Sequence, residues 1–272
     1  MSPIDICMNE ENVRFPEAGA LLASRYNVTD ELKRSVNKPD IRKRPATADE
    51  AEGSRFFELE EKFTDEQLQV LGPRVKQEHV DALHWYVAKS ISYVRNREVT
   101  TKYTTPTYPI FMRECVVSKK DGSTAKFYKI YEPLNPDKQW RFSYTPDGVK
   151  PKQYINGFAE LQKAYRDFNA QEEKNFFNDP KNKDAQYKEQ KLKEAFICSG
   201  ERDSLCVRAL GGHPLWFNSE TYKVTPEEIK DIYKYVERIY NIPDIDDTGI
   251  RKGTELALRF LDIYTIWLPD WL

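Results

Sequence analysis

The sequence predicts an α+β module followed by an α/β domain with a mainly parallel sheet. Two patterns lead to this fold class. Two β-type segments between residues 107 and 131 flank a turn that contains a glycine, which is typical of an antiparallel hairpin. From residue 195 onward, short apolar strands alternate with helical segments, which predicts right-handed crossovers between parallel strands.

The charge balance of the 272-residue chain is close to neutral. Its 42 Lys and Arg residues face 44 Asp and Glu residues, so any contact with nucleic acid must come from local basic patches. The four cysteines and three histidines form no ligand cluster, and a zinc site is not expected. We expect a cytoplasmic protein with no membrane partner, because no stretch approaches the ~20 apolar residues that a span needs.

Four segments are predicted along the chain. Residues 1–55 read as an N-terminal arm and basic linker, because Lys38–Pro45 is rich in basic residues and proline; a solvated loop and a contact with a phosphate backbone both fit this run. Residues 56–170 form the small α+β module with basic loops. Residues 171–194 form a polar junction between domains. Residues 195–272 form the α/β domain, for which truncation at the C-terminus is one interpretation.

Local signals predict the elements of the α+β module. Thr64 and Gln67 fit a capping box that opens a short helix, and β-branched and aromatic residues favour strands further along. In order, the predicted elements are helices at 16–26, from Thr64 and at 76–87, strands at 90–99, 107–117, 125–131 and 139–144, and a helix at 158–168.

The α/β domain has the clearest pattern of the chain. Thr225 provides an N-cap for a helix with Pro226 at its first position. In order, the predicted strands are 195–198, 214–218, 238–242 and 263–268, and the predicted helices between them are 203–210, 226–236 and 251–260.

Carboxylates follow two of these strands. Asp203 comes shortly after the strand at 195–198, and Asp244 and Asp246 follow the strand at 238–242. Residues spaced by two point to the same side, so Asp244 and Asp246 are candidate ligands for Mg²⁺ or Mn²⁺, which take oxygen donors. In the alternative interpretation, these acids only cap the helix that follows.

Two motifs make a family resemblance visible. Ser199–Asp203, with the sequence SGERD, and Asp244–Gly249, with the sequence DIDDTG, resemble the Toprim fold shared by bacterial and phage primases, topoisomerases and some nucleases. Upstream, Lys150–Gly157 looks like the primase segment that joins a small basic domain to Toprim. The resemblance covers residues 110–272, is strongest to primases and primase-helicases, and extends to Toprim proteins of Bacteroides-type phages and mobile elements.

The resemblance implies a DNA primase, alone or as part of a primase-helicase, acting in phage or mobile-element DNA replication. It implies magnesium-dependent nucleotidyl transfer that makes RNA primers on single-stranded DNA from ribonucleoside triphosphates, with Asp244 and Asp246 as metal ligands. A replicative helicase, fused or separate, is a further expected partner. The basic residues Lys150, Lys152 and Arg141 are expected to guide template and nucleotides towards the metal.

One position departs from the family pattern. The resemblance implies a glutamate where this chain has Ser199, and a neutral hydroxyl binds magnesium far more weakly than a carboxylate does. Glu201, Asp203 or Glu220 could replace it, and the geometry of adjacent strand ends favours Glu220. Two alternatives remain open: a catalytically degenerate module that binds nucleic acid or a helicase, and a Toprim nuclease.

Aromatic residues alternate with these basic ones. Period-two spacing would place Trp140, Phe142 and Tyr144 on one face of the strand at 139–144 and Arg141 on the other. Such a stripe fits either a buried core or a surface on which nucleobases stack.

Overall fold

The computed structural model describes residues 3–11, 13, 18, 21–22, 39–118, 124–146, 154–218 and 222–269. These residues form a mixed α/β structure with two sheets, one of seven strands and one of five. In the part of the chain described, no helix has both the length and the apolar character needed to cross a membrane.

The seven-stranded sheet is antiparallel at every pairing, in the order β1-β4-β3-β5-β6-β7 with β2 beside β3. Its strands are β1 Asp40–Pro45, β2 Arg55–Glu60, β3 Trp85–Arg95, β4 Glu98–Tyr103, β5 Phe111–Ser118, β6 Thr124–Tyr131 and β7 Phe142–Thr145. The predicted hairpin is confirmed, because β5 pairs with β6 over its whole length.

The five-stranded sheet has the order β12-β11-β9-β10-β8. Parallel pairings join β12 to β11, β11 to β9 and β9 to β10, and β8 is antiparallel to β10. Its strands are β8 Ile155–Asn156, β9 Leu192–Cys198, β10 Pro214–Phe217, β11 Val236–Ile242 and β12 Tyr264–Thr265. Among the described residues, parallel pairing is thus limited to this sheet and antiparallel pairing predominates, so the predicted mainly parallel character does not extend to the rest of the structure.

The helices cover these sheets and connect their strands. They are α1 Pro3–Glu11, α2 Asp65–Leu71, α3 Gln77–Ala82, α4 Phe158–Asn178, α5 Glu201–Ala209, α6 Pro226–Ile232 and α7 Asp247–Arg259. The capping boxes at Thr64 and Thr225 are both present, with the threonine side chains accepting from Gln67 N–H and Glu228 N–H.

The basic run near residue 40 differs from the predicted linker. It forms β1, an edge strand paired with β4, and acidic side chains neutralise its cations: Lys43 pairs with Glu98, and Arg44 pairs with Glu50. Basic side chains on an edge strand also discourage pairing with other chains. This run is therefore ordered by sheet pairing and ion pairs.

Other elements differ from the predictions at their ends. Helix α4 continues to Asn178, through the first part of the predicted polar junction, since its charged side chains face solvent. The helix predicted at 76–87 ends at Ala82, because His84 adopts a positive φ of 57° and Trp85 begins β3. The strand predicted at 139–144 begins only at Phe142, after a 3₁₀ turn.

Three groups of buried side chains form the core. One lies within the five-stranded sheet and α4, α6 and α7, and one lies within the antiparallel sheet. The third joins the two halves, since Trp85 of β3 packs in the same cluster as Trp216 of β10 and Leu205 of α5. The two sheets are therefore held in a fixed relation by a shared apolar interface.

Candidate active site

The strand order creates a switch point at the carboxyl edge of the five-stranded sheet. From β9 the chain crosses through α5 to β10 on one side, and β11 then lies on the other side of β9. Crevices at such switch points are where open α/β sheets bind ligands. Ser199 follows β9 and Asp244 follows β11, so both residues flank this crevice.

The turn from β9 into α5 positions Asp203. The chain passes through Ser199 and Gly200, and α5 begins at Glu201. The Asp203 carboxylate accepts a hydrogen bond from the backbone N–H of Gly200, which orients it at the start of the helix. The side chain of Asp203 remains exposed to the cleft, whereas that of Glu201 is buried.

The turn from β11 into α7 brings the helix against Asp244. Asp246 is the N-cap of α7, and its Oδ1 accepts from Gly249 N–H at 2.8 Å. A Cβ on Gly249 would lie 2.4 Å from the Asp244 carbonyl oxygen, so only glycine allows this approach. The predicted capping role of an acid is therefore present at Asp246, and Asp244 stays outside the cap.

Asp203 and Asp244 form a pair of interacting carboxylates. Desolvation and the charge of Asp244 raise the pKa of Asp203 to about 6. Desolvation and the charge of Asp246 raise the pKa of Asp244, and a hydrogen bond from Ser199 partly offsets this increase. In the part of the chain described, no salt bridge is formed to either carboxylate, and the charge of Arg202 offsets the rise in the pKa of Asp203 only in part.

Glu201 has a different environment. Its carboxylate forms a buried ion pair with Lys129 of β6, and it also accepts from Trp216 Nε1 at 3.1 Å. Both ionic side chains are only 5% exposed. Of the three predicted replacement carboxylates, Glu201 is therefore engaged between the two sheets and Asp203 faces the cleft. Glu220 lies outside the described residues.

A cleft of about 780 Å³ separates the two sheets in front of the carboxylates. Phe142 and Tyr144 of β7 line it, and Phe142 stacks on Tyr131 with ring centroids 4.7 Å apart. Trp140 lies in the 3₁₀ turn and not on this strand. Exposed Arg202 is a cationic side chain at the wall of this cleft.

The predicted basic residues are only partly described. Arg141 is half-buried and donates from Nε to the carbonyl oxygen of Asn135 at 3.0 Å. Lys150 and Lys152 lie outside the described residues. Lys129 is the cation of the site that sequence reasoning missed. The sequence does contain an indication of this role: Lys129 lies on β6 between Phe127 and Tyr131, two aromatic residues that are buried on the same face of the strand.

The donor set is compatible with magnesium. No group of three or more His, Cys, Asp or Glu side chains in the described residues is arranged to hold a metal ion. Magnesium, however, is usually bound through one or two carboxylates, with waters and substrate phosphates filling the octahedron. The Asp203 and Asp244 carboxylates offer such oxygen donors, and a cation beside them would offset the desolvation and the neighbouring negative charges that raise both pKa values.

No family model matches the sequence, and no curated protein matches it. Solved structures with a similar arrangement are catalytic domains of DNA primases. The primase fragment of the bacteriophage T7 primase-helicase protein aligns with 72% of this chain and 62% of its own, at 13% identity and a TM-score of 0.43. The DnaG primase catalytic domain bound to ssDNA aligns with 76% of this chain and 64% of its own, at 12% identity and a TM-score of 0.44.

A third solved structure contains the zinc-binding and RNA polymerase domains of the Aquifex aeolicus primase. It aligns with all of this chain and 65% of its own, at 12% identity and a TM-score of 0.45. The chain thus spans less than two thirds of the length of each of these three solved structures.

Proposed function

We propose that the protein is a Toprim-type DNA primase that carries out metal-dependent nucleotidyl transfer, with Asp203 and Asp244 holding the metal. The observation that carries the proposal is the pair of carboxylates that line the cleft at the switch point, where the two sequence motifs meet. The chemistry of this donor pair suits Mg²⁺ or Mn²⁺. We further propose that it acts in phage or mobile-element replication, with ribonucleoside triphosphates, a single-stranded DNA template and a replicative helicase as partners.

Each residue of the site has a distinct part in this proposal. Magnesium, when bound, neutralises phosphate charge and lowers the pKa of an attacking hydroxyl group. Asp244 is oriented by the Ser199 hydroxyl, which is shared with the Ile242 carbonyl oxygen at 3.4 Å. Arg202 places a positive charge beside the carboxylates for a phosphate group. Asp246 caps α7, and its negative charge raises the pKa of the nearby Asp244 carboxyl group.

The aromatic side of the cleft suits a nucleic-acid strand. Phe142 is 39% exposed, stacks on Tyr131 and lies 4.4 Å from Lys129 Nζ at its ring centroid, so its exposed part presents an aromatic contact to a base. Stacking of a base on an aromatic side chain contributes about 1–3 kcal/mol and tolerates any sequence. The cleft therefore combines a stacking surface on one sheet with carboxylates on the other.

A second candidate function is a degenerate module that binds nucleic acid or a helicase without making primers. The observation that favours it is the loss of a third carboxylate: Ser199 is neutral, and Glu201 is bound to Lys129 and Trp216. In this alternative the cleft binds a strand, but the carboxylate pair does not support synthesis.

A primer-synthesis assay separates these functions. The assay uses single-stranded DNA, labelled ribonucleotides and either Mg²⁺ or Mn²⁺, and compares the wild type with Asp203→Asn, Asp244→Asn and the Asp244→Ala/Asp246→Ala double variant. The proposal predicts short products that fall at least about 100-fold in each variant, because metal stabilisation of developing charge is worth several kcal/mol. Asp247→Ala, in the same turn, is the matched control and should keep its products.

Two results would reject the proposal. Products that persist in Asp203→Asn and Asp244→Asn would show that these carboxylates do not hold the metal. An absence of products with either metal, while single-stranded DNA still binds, would favour the binding module.

A further inference from the structure

A second cavity, of about 280 Å³, lies beneath α7 next to the carboxylate pair. Its inner wall is formed by Ile197 of β9 and Asn241 of β11 and its outer wall by α7, including Leu256. Ser199, Phe217 and Asp244 line both this cavity and the cleft between the sheets. The cavity and the cleft therefore adjoin at Asp244.

Asn241 gives this cavity an unused hydrogen-bond donor. The residue is 5% exposed, and its side-chain Nδ2 has no hydrogen-bond partner among the described residues. Asn241 stands in register with Ile197 on the adjacent parallel strand, and both side chains line the cavity. Buried polar groups are nearly always paired, and one that is not calls for a specific explanation. A ligand with an acceptor atom would supply the missing partner.

The walls of the cavity favour a flat ring. Phe217 and Tyr222 stack with ring centroids 4.9 Å apart and planes 16° apart, and both line the cavity. Tyr222 is fixed in place because its hydroxyl donates to the carboxylate of Glu228. Ile197, Val224 and Leu256 complete an apolar lining. Aromatic and aliphatic walls with one oriented donor are typical of sites for planar heterocycles.

The charged side chains around this cavity favour an anionic ligand. The cavity is lined by Lys223, Lys252 and Arg259, of which Lys252 is held by Glu255 at 2.7 Å. Glu255 and Asp244 also line the cavity, so its three cations exceed its two carboxylates by one charge, which favours an anionic ligand. A nucleotide combines the required features: a planar base that bears acceptor atoms, and phosphates that can reach the metal-binding carboxylates.

We propose that the cavity beneath α7 binds the base of a nucleotide, with Asn241 Nδ2 donating to an acceptor on the base and the phosphates directed towards Asp244. The identification of the ligand as a nucleotide rests on the proposed function. The position of the base, by contrast, follows from the cavity and its unpaired amide.

Calorimetric titration of the full chain tests this proposal. The probes are ATP, GTP, CTP and UTP with Mg²⁺, the four corresponding nucleosides, and magnesium tripolyphosphate, which carries phosphates without a base. Asn241→Leu removes the donor while keeping the side-chain size. We expect it to weaken nucleotide and nucleoside binding about tenfold, the effect of one lost hydrogen bond, and to leave tripolyphosphate binding unchanged.

Thr265→Val is the matched control. Thr265 of β12 stands in register with Asn241, and its Oγ1 is also buried without a partner among the described residues, but it does not line the cavity. This variant also removes an unpaired polar group, so both substitutions should maintain or raise the Tm, while only Asn241→Leu should affect the nucleotide. Leu256→Trp fills the cavity and should abolish nucleoside binding.

The outcomes separate this proposal from the proposed function. Nucleotides that bind no more tightly than tripolyphosphate, or equally well to Asn241→Leu and the wild type, would overturn the base site and leave the metal site intact. Nucleosides that bind in an Asn241-dependent manner while magnesium tripolyphosphate does not bind would support the base site and contradict the metal site.

Discussion

Two carboxylates in the first turn of α5 lie in opposite electrostatic environments. Glu201 is buried against Lys129 and Trp216, so its charge is compensated and fixed. Asp203, two residues further on, lines the cleft, and desolvation together with the charge of Asp244 raises its pKa to about 6. One helix turn thus connects an ion pair that joins the two sheets to a carboxylate pair for which the described residues provide no salt bridge.

The two carboxylates therefore differ in what they can do: Glu201 holds the two sheets together, and Asp203 is accessible to a ligand in the cleft. A buried charge that has a partner supports a specific arrangement but is unavailable to a metal or a substrate. A carboxylate pair that repels itself costs stability in the free protein, and this cost is recovered when a cation binds. Strained groups of this kind are concentrated at functional sites.

The largest expected effect comes from breaking the compensated pair. Lys129→Met leaves Glu201 buried without a cation, which should lower the free energy of unfolding by about 3–5 kcal/mol. Urea denaturation measures this loss. The matched control is Lys163→Met, which breaks the exposed pair with Asp167 and should cost less than about 1 kcal/mol. Equal losses in the two variants would contradict the role of burial at Lys129.

The two turns that carry the carboxylates should differ in their tolerance of a side chain. In Gly249→Ala the new Cβ meets the Asp244 carbonyl oxygen, which should cost about 1–3 kcal/mol and displace Asp244. In Gly200→Ala the nearest atom, Asp203 Oδ2, lies 3.6 Å away, so this change should be mild. Thermal unfolding measures the stability of both variants. An unchanged Tm in Gly249→Ala would show that α7 does not approach Asp244 this closely.

Asp246 should behave mainly as a cap. Asp246→Ala removes the acceptor for Gly249 N–H and should cost about 1 kcal/mol in urea denaturation. Affinity for Mn²⁺ should change far less than in Asp244→Asn. A loss of Mn²⁺ binding as large as that of Asp244→Asn would instead make Asp246 a metal ligand, as the spacing of the motif predicts.

The smallest expected effect is an increase in the free energy of unfolding. Because the folded-state pKa of Asp203 is raised above its usual 3.8 to about 6, its ionised form destabilises the fold at pH 7. Asp203→Asn should therefore gain on the order of 0.5–1 kcal/mol in EDTA, a value reduced for solvent screening. The gain should shrink as the pH falls below 6, where the wild-type carboxyl is protonated. A loss of stability at pH 7 would contradict the repulsion.

The sequence predicted the five-stranded sheet better than the antiparallel one. Strands that begin after clear turns and helices with strong caps, such as α6 after Thr225, are set by local signals. The ends of β9 and β11 follow from the same local signals, and they place Ser199 and Asp244 at one edge of the sheet. At the N-terminal side, the basic run of β1 has no local signal for a strand, because its order depends on pairing with β4.

The environment of Glu201 could not be predicted from the sequence. Its partner Lys129 is 72 positions away in the other sheet, and only tertiary packing brings them together. Ser199, Asp203 and Glu201 look equally available in the SGERD motif. Burial by Trp216 and the ion pair with Lys129 distinguish them, and neither feature is a property of the motif.

Binding of Mn²⁺, followed by electron paramagnetic resonance, tests most directly the claim that the Asp203–Asp244 pair holds the metal. The comparison uses the wild type, Asp203→Asn/Asp244→Asn, and Lys129→Met/Glu201→Met, which replaces the buried ion pair with apolar side chains and is compatible with folding. We expect the first double variant to lose Mn²⁺ binding and the second to retain it. Retention by the first and loss by the second would show that Glu201, not the Asp203–Asp244 pair, is the metal-binding group.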